Sequence, residues 1–471
     1  MKTAVMWVRR DFRFQDNTAL YHALSYCREE RARLIFVFQL NPSLFKNSSG
    51  LRHEHFAGTV LHFHERLKKL GTELAVFVGD HEKAFRKFLK SEQGISALFF
   101  NGDETGFGKA RDVETTQMLQ AEGIQVFQYQ DAFLHGAEEI KKSDSAVYKV
   151  FTPYYKKWRA EKFTKPYHIV FDELKQAVKR PAERPDKGLQ QLEKYAGSAM
   201  EKWEFGEKAA RKQLLHFVQH KLNDYESSRD YPAEDGTSRI SRFLKTGMLS
   251  PRTVIAAVLQ EEDLGSSKET FMKELAWRDF YHSILVHFPS ISDKEFSENY
   301  QSLDWNKNEQ QFEQWAQGKT GFPIIDAAMR QLNEEGWMHN RMRMLTASFL
   351  TKDYLIDWRL GEAYFARQLV DYEASSNIGG WQWAASVGTD AVPYFRVFNP
   401  VTQSKKFDRD GEYIKKYVPE LKQVPAALIH EPWKMSEQEQ EKAGIVIGRD
   451  YPVPEINHAV QRKRAIDFFK A

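Results

Sequence analysis

The sequence predicts an α/β amino-terminal domain, built on a parallel doubly wound sheet, followed by a large all-α domain. Three observations carry that prediction. Five short apolar runs alternate with helical segments in the first third of the chain. The strand pattern stops near residue 135, and from about Glu201 onward long amphipathic segments punctuated by Gly and Pro replace it. The 471 residues are too many for one ordinary core, so two or more domains are expected.

The elements follow in order. Thr3 to Val8 is the first apolar run and Leu34 to Leu40 the second. Leu51 to Leu70 has helical spacing and ends at Gly71. Leu74 to Val78 reads as a strand ending at Gly79. Ser96 to Phe100 and Ile124 to Tyr129 complete the set, with a helical segment from Ala110 to Glu122 between them. Buried-type strands separated by helices argue a sheet covered on both faces. Such sheets often hold a nucleotide-like ligand at the carboxyl ends of their strands. No G-x-G-x-x-G or P-loop occurs; Gly102, Gly106 and Gly108 give only a loop signal. Arg180-Pro181 through Gly188 is charged and reads as a surface linker. The division expected is 1–132 for the α/β domain, 133–200 for a connector and 201–471 for the helical domain.

Composition narrows the function classes. At 42% hydrophobic and 28% charged, the chain is a folded protein rather than a disordered one. Its 14% aromatic content favours planar ligands or stacked bases, though large helical cores also collect Phe. A net charge of +3 is too mild to argue nucleic-acid binding by itself. Cys27 is the only cysteine, which excludes an intrachain disulfide and a Cys-based zinc site. The opening apolar run meets Arg9 and Arg10 too soon for a signal peptide, and no stretch approaches the roughly 18 to 20 apolar residues of a membrane helix. A reducing cytoplasm is the expected compartment.

Five local patterns carry chemistry. Asn377-Ile378-Gly379-Gly380-Trp381-Gln382-Trp383 combines two indoles with two glycines, poor material for a helix interior. It suits an aromatic ligand or an electron carrier, or else a tight Trp-anchored corner in a large core. Around Glu274, a helix puts Trp277, Arg278 and Tyr281 on one face, so the carboxylate could hydrogen-bond a base while the indole stacks on it. A surface Glu–Arg pair over a buried Trp is the alternative. In Trp337-Met338-His339-Asn340-Arg341-Met342-Arg343-Met344, one helical face carries Asn340, Arg341 and Met344, flanked by Arg343, while Met342 points away. That face offers an amide, a guanidinium and a thioether to a base and its phosphate, or is a solvated basic face with Met as filler. Gly236-Thr237-Ser238-Arg239-Ile240-Ser241 resembles a helix start able to take a phosphate, or an ordinary hydroxyl cap. Asp371-Tyr372-Glu373 could bind ribose hydroxyls or pair with Arg; no His or Cys spacing points to a metal.

Taken in series, with Gly318-Lys319-Thr320-Gly321-Phe322-Pro323-Ile324-Ile325-Asp326 and Val397-Phe398-Asn399-Pro400, these motifs resemble the photolyase/cryptochrome family, specifically the class I cyclobutane pyrimidine dimer photolyases of microbes. The likeness covers nearly the whole chain. It implies an antenna-type α/β domain and FAD in the helical domain, held by Tyr225, Thr237, Ser238, Arg239, Ile240, Ser241, Arg343, Asp371, Glu373 and Asn377. Arg343 and Asp371 are expected to pair beside the isoalloxazine, with Asn377 at flavin N5. The family usually has Asp where Glu373 stands and Asn where Ile378 stands.

The implied activity is deoxyribodipyrimidine photo-lyase. Excited, reduced flavin passes an electron to a flipped-out dimer, the cyclobutane bonds split and the electron returns. Glu274, Trp277, Asn340, Arg341, Met344 and Trp383 would contact the dimer. Arg229, Arg396, Gln403 and Lys406, with Lys405, would hold the DNA. Trp381, Trp358 and Trp305 match the family's electron relay. The implied partner is UV-damaged DNA, single or double stranded, and the implied state a monomer. A (6-4) photolyase would carry two histidines at Asn340 and Met344. A cryptochrome, signalling without repair, is the alternative from another class. Phe107 and Gly108 stand where folate-using relatives carry Asn-Glu, and Asp293 replaces a folate-holding Lys, so the antenna pocket is open to folate, deazaflavin, flavin or no chromophore.

Overall fold

The computed structural model describes residues 2–45, 50–182, 186–262 and 265–470. The chain forms two compact units, each discontinuous in sequence. The first comprises Met1–Tyr148, Pro153–Asn223 and Ser238–Pro289; the second comprises Lys149–Thr152, Asp224–Thr237 and Ser290–Ala471.

The first unit is organised by a five-stranded, all-parallel sheet. Its strands are β1 (Thr3–Trp7), β2 (Arg33–Leu40), β3 (Leu74–Val78), β4 (Ile95–Asn101) and β5 (Gln125–Tyr129), in the order β3-β2-β1-β4-β5. Each lies within a residue or two of the run expected from sequence. The registers Val5↔Ile35, Val5↔Leu98, Phe38↔Val76 and Phe99↔Phe127 run apolar residues side by side. The sheet is covered on both faces, which is why β1 is wholly buried. On one face, Trp7 packs edge-on against Phe85 at 4.7 Å. On the other, Phe36 and Phe14 meet Phe63. Helices α1 (Thr18–Glu29), α2 (Leu51–Lys69), α3 (His81–Ser91) and α4 (Gly106–Ala121) connect the strands. Asn17 and Asp80 cap α1 and α3 by accepting from Leu20 N and Lys83 N.

Strand order reverses about β1, so the carboxyl ends of β1 and β4 form the switch point. A buried ion cluster fills this place: Arg9 pairs with Asp112, Arg111 with Asp103 at 2.8 Å, and Arg10 with Asp103 at 2.9 Å. These guanidinium groups hold the Asp103 carboxyl well below its usual range despite its burial. Phe107 is 51% exposed on α4, and a Cβ on Gly108 would fall 2.6 Å from the Asp103 side chain.

Among the described residues, the segment after β5 forms no strand, yet it packs against the first unit's sheet. Helices occupy Phe151–Ala160, Phe171–Ala177 and Asp186–Ala196, and Val178 bridges Leu34 while Thr72 Oγ1 donates to Lys179 O at 2.6 Å. Part of the linker expected over 180–188 lies outside the described residues; Asp186 already begins a helix. The long helix Gly265–His287 belongs to this unit, and its Asp279 accepts from Trp158 Nε1 at 2.9 Å and His135 N at 3.0 Å.

The second unit is helical. Its main helices are Pro323–Glu335, Asn340–Ser348, Trp358–Gln368, Ala374–Ala384, Pro400–Phe407 and His458–Phe468. The motif around Gly318 to Asp326 is a structural device: Asp326 Oδ1 takes Thr320 N and Oγ1, both at 2.7 Å, and Oδ2 takes Gly321 N at 3.1 Å. Asn399 caps Pro400–Phe407 by accepting from Thr402 N, with Pro at the first helical turn. Among the described residues, no helix is long and apolar enough to cross a membrane.

Candidate functional site

The Trp-rich stretch, expected to be poor helix material, lies inside the helix Ala374–Ala384. Packing outweighs propensity here. The Trp381 ring is 2% exposed and meets Phe365 edge-on at 5.0 Å and Trp315 at 5.9 Å. At 100° per residue, Asn377, Gly380 and Trp381 share one face. A Cβ added at Gly380 would meet nothing within 4 Å, so this glycine leaves open space beside the backbone. By contrast, a Cβ on Gly361 would fall 2.1 Å from Trp381 Cη2.

Arg343, on the helix Asn340–Ser348, donates through Nη2 to Asp371 Oδ2 at 2.8 Å and through Nε to Met338 O at 2.8 Å. Asp371 Oδ1, Ser375 Oγ and Trp381 Nε1 are buried and have no hydrogen-bond partner among the described residues. Three orphaned polar atoms between residues 371 and 381 mark a place for a polar ligand, because a buried unpaired group is costly. A flat, hydrogen-bonding ring system beside the open backbone at Gly380 fits that donor and acceptor set. Asn377 Nδ2 donates to Glu362 Oε1 at 3.0 Å and to Glu362 O at 3.3 Å, and Tyr372 OH donates to the same Oε1 at 3.0 Å. Glu362 therefore fixes the Asn377 amide; no local sequence pattern singled it out.

On the neighbouring face, Asn340 Nδ2 lies 3.9 Å from Met344 Sδ, while Met342 is fully buried, in line with the helical spacing. Arg341 pairs with Asp230 and lies over the Phe407 ring at 4.6 Å. Trp383 is half-buried on the Ala374–Ala384 helix. Arg229 lies over Tyr225 at 5.2 Å. Arg396 and Lys406 are exposed and Gln403 half-buried, whereas Lys405 pairs with Glu431 at 2.8 Å.

Trp358 opens the helix Trp358–Gln368, one turn before Gly361 and two before Phe365, so all three share the face on which Trp381 rests. Its Nε1 donates to Glu295 Oε1 at 3.2 Å. Trp305 is 8% exposed, covered by Phe468 at 5.2 Å and Phe469 at 6.0 Å. The next residue, Asn306, bridges Ile356, which ties Trp305 to the segment entering the Trp358 helix.

Of the remaining residues, Ser238, Arg239, Ile240, Ser241, Glu274 and Trp277 lie in the first unit and Thr237 and Glu373 in the second. Gln213 Nε2 donates to Ser238 O at 2.9 Å, and Arg239 adopts φ +49°. The short helix Ser241–Thr246 starts at Ile240 with no side-chain cap, so the hydroxyls before it do not act as an ordinary N-cap. Thr237, which belongs to the second unit, follows Gly236, whose added Cβ would fall 2.6 Å from Ser228 Oγ. On Gly265–His287, Trp277 stacks at a tilt on Tyr281 at 5.3 Å, and Arg278 turns to Ala132 O and the Phe133 ring. Glu274 is half-buried on the same helix.

Residues 271–471 match the model for the FAD binding domain of DNA photolyase, and residues 4–174 the model for DNA photolyase. A deoxyribodipyrimidine photo-lyase from Alkalihalophilus pseudofirmus is 46% identical over 99% of this chain and 97% of its own length. The chain belongs to the DNA photolyase family. Among solved photolyases, a bacterial class III enzyme from Agrobacterium tumefaciens superposes with a TM-score of 0.91 at 32% identity, covering 100% of this chain and 97% of that one. An archaeal photolyase from Sulfolobus tokodaii, described with two FAD molecules, gives 0.84 at 31% identity over 99% of both chains. Like the photolyases it resembles, this chain is a flavoprotein whose cofactor is FAD.

Proposed function

We propose that the chain is a deoxyribodipyrimidine photo-lyase that binds UV-damaged DNA, single or double stranded, and splits cyclobutane pyrimidine dimers as a monomer in the cytoplasm. One observation supports the flavin seat above others: Asp371 Oδ1, Ser375 Oγ and Trp381 Nε1 are buried polar atoms without a partner among the described residues, next to the Arg343–Asp371 pair. When bound, reduced FAD supplies on illumination the electron that opens the cyclobutane ring and takes it back.

The chain's residues bind, orient and exclude water. Arg343 and Asp371, a fixed charge pair, and Asn377, its amide aligned by Glu362, would hold the isoalloxazine. Tyr225, Thr237, Ser238, Arg239, Ile240, Ser241 and Glu373 would hold the rest of the dinucleotide. Glu373 reaches one methylene further than the family's usual Asp. Glu274 hydrogen-bonds the dimer and stabilises its added charge, Trp277 and Trp383 pack on its rings, and Asn340, Arg341 and Met344 line its pocket. Arg229, Arg396, Gln403 and Lys406 take phosphates. The dimer leaves the duplex to react. Enzymes that extrude a base, photolyases included, do so at a general cost of a few kcal/mol, smaller for a poorly stacked lesion. Trp381, Trp358 and Trp305 would pass electrons inward when the bound flavin is oxidised. The test is Glu274→Ala: repair quantum yield on a defined thymine-dimer oligonucleotide falls while FAD content and DNA affinity hold. An unchanged yield would remove Glu274 from the lesion contacts.

A further inference from the structure

We infer that Glu295 biases the tryptophan relay by stabilising a positive charge on Trp358 relative to Trp381. The inference rests on the relay reading of Trp381, Trp358 and Trp305 proposed above.

The two indoles differ in their surroundings. Trp381 is enclosed by Phe365, Trp315 and Gly361, and its Nε1 has no partner among the described residues. Trp358, fully buried, donates its Nε1–H to the Glu295 carboxylate at 3.2 Å, and that side chain is itself only 2% exposed. Arg359 Nη2 holds the other Glu295 oxygen at 2.7 Å, and its Cζ lies 4.9 Å from the Trp358 ring. Taken alone, that guanidinium would oppose a cation on the ring. Its charge is shared, however, because Asp357 accepts from Arg359 Nη1 at 3.0 and 3.1 Å. Two carboxylates around one guanidinium leave one net negative charge, and its nearest oxygen touches the indole. Coulomb energy falls with distance, so the closest charge dominates.

Glu295 is held for this task by the relay's own helix. Gln382, next to Trp381, donates Nε2 to Ile291 O and Lys294 O at 2.9 Å each and accepts from Phe296 N at 2.9 Å. Three hydrogen bonds thus fix the loop on both sides of Glu295.

The step is one electron passing from Trp358 to the Trp381 cation, which forms when Trp381 gives one electron to light-excited oxidised FAD. Trp381 returns to neutral and Trp358 becomes the cation. Its indole proton stays on nitrogen, shared with Glu295. A second transfer from Trp305, and finally an electron from a thiol reductant in solution, restores the chain. With the charge held on Trp358, return to the flavin slows and photoreduction gains yield.

The experiment uses FAD-loaded protein and three variants: Glu295→Gln, Asp357→Asn and Trp358→Phe. Gln keeps an acceptor for the indole but removes the charge. Asn keeps the helix cap that Asp357 provides through Arg359 N while removing a charge that does not touch Trp358. Transient absorption follows the tryptophan cation, and ultraviolet resonance Raman of the unilluminated protein reports the indole hydrogen bond. Glu295→Gln is expected to lower photoreduction yield about tenfold, and Asp357→Asn by about twofold to threefold, with the Raman signature of Trp358 retained in the latter. A purely structural role for Glu295 would not carry over to Asp357→Asn. If Glu295→Gln does not hold FAD, Asp357→Asn decides. Unchanged yields in the charge variants, with photoreduction lost in Trp358→Phe, overturn the inference and leave the relay intact. Full photoreduction in Trp358→Phe overturns the relay itself.

Discussion

Arg343 Nη2 meets Asp371 Oδ2 at 2.8 Å, and the other oxygen of that carboxylate is buried with no partner among the described residues. The pair is thus half-satisfied by the protein, with one acceptor left for whatever lies beside it. Asp371→Asn removes the charge opposite Arg343; because the Arg343 side chain is 26% exposed, breaking the pair costs less than the about 3–5 kcal/mol of a fully buried one. The variant is expected to purify with little FAD and to bind added FAD at least tenfold more weakly, about 1.4 kcal/mol. Full flavin occupancy would remove the pair from the cofactor seat.

Gly361 is set by Trp381. An added Cβ would stand 2.1 Å from Cη2 of that indole and 2.7 Å from Leu350 Cδ2. Gly361→Ala is expected to cost about 1–3 kcal/mol by overpacking and to slow photoreduction as the ring is displaced. Trp381→Phe should block photoreduction yet leave repair by chemically reduced protein. Chemical denaturation and steady illumination of oxidised protein check both; normal photoreduction in Trp381→Phe contradicts the relay.

Burial lowers the Lys352 ammonium to about 7 and raises the Asp353 carboxyl to about 6, although His458 donates to Asp353 at 2.6 Å. The signs oppose. Between pH 4 and 6 the native Asp353 holds a proton that the unfolded chain has lost, so its contribution falls as pH rises. Between pH 7 and 10 the unfolded Lys352 holds a proton that the native one lacks, so stability rises with pH. Lys352→Met is expected to flatten the alkaline rise in unfolding midpoint. A rise of the same size in the variant would contradict the assignment.

DNA binding should depend on salt through exposed cations. Lys406 is exposed, whereas Arg341 and Lys405 already pair with Asp230 and Glu431. Lys406→Ala is expected to reduce the slope of log K against log salt by about 0.9 on duplex DNA, and Lys405→Ala by less. Equal slopes for wild type and Lys406→Ala would take Lys406 off the phosphate path.

The strand runs at Thr3, Leu34, Leu74, Ser96 and Ile124 were legible because strands buried on both faces leave continuous apolar runs. The helical face of Asn340 and Met344 was legible because its period is local. The helix through Gly379-Gly380 was not, since intrinsic propensity argues against it and only burial of Trp381 against Phe365 and Trp315 offsets that cost. Glu295, Glu362 and Gln382 were also hidden. A lone carboxylate or amide has no local pattern, and its partners lie 15 to more than 80 residues away.

By itself the sequence determined the alternating α/β domain, the helical remainder and the ordered motifs that resemble photolyases, because periodicity and short-range spacing are written along the chain. Tertiary structure alone decided which polar atoms stay without partners, where Glu295 meets Trp358, and how Gly361 admits Trp381. Those depend on distances across the fold between residues far apart in sequence, and charge and close packing act through distance.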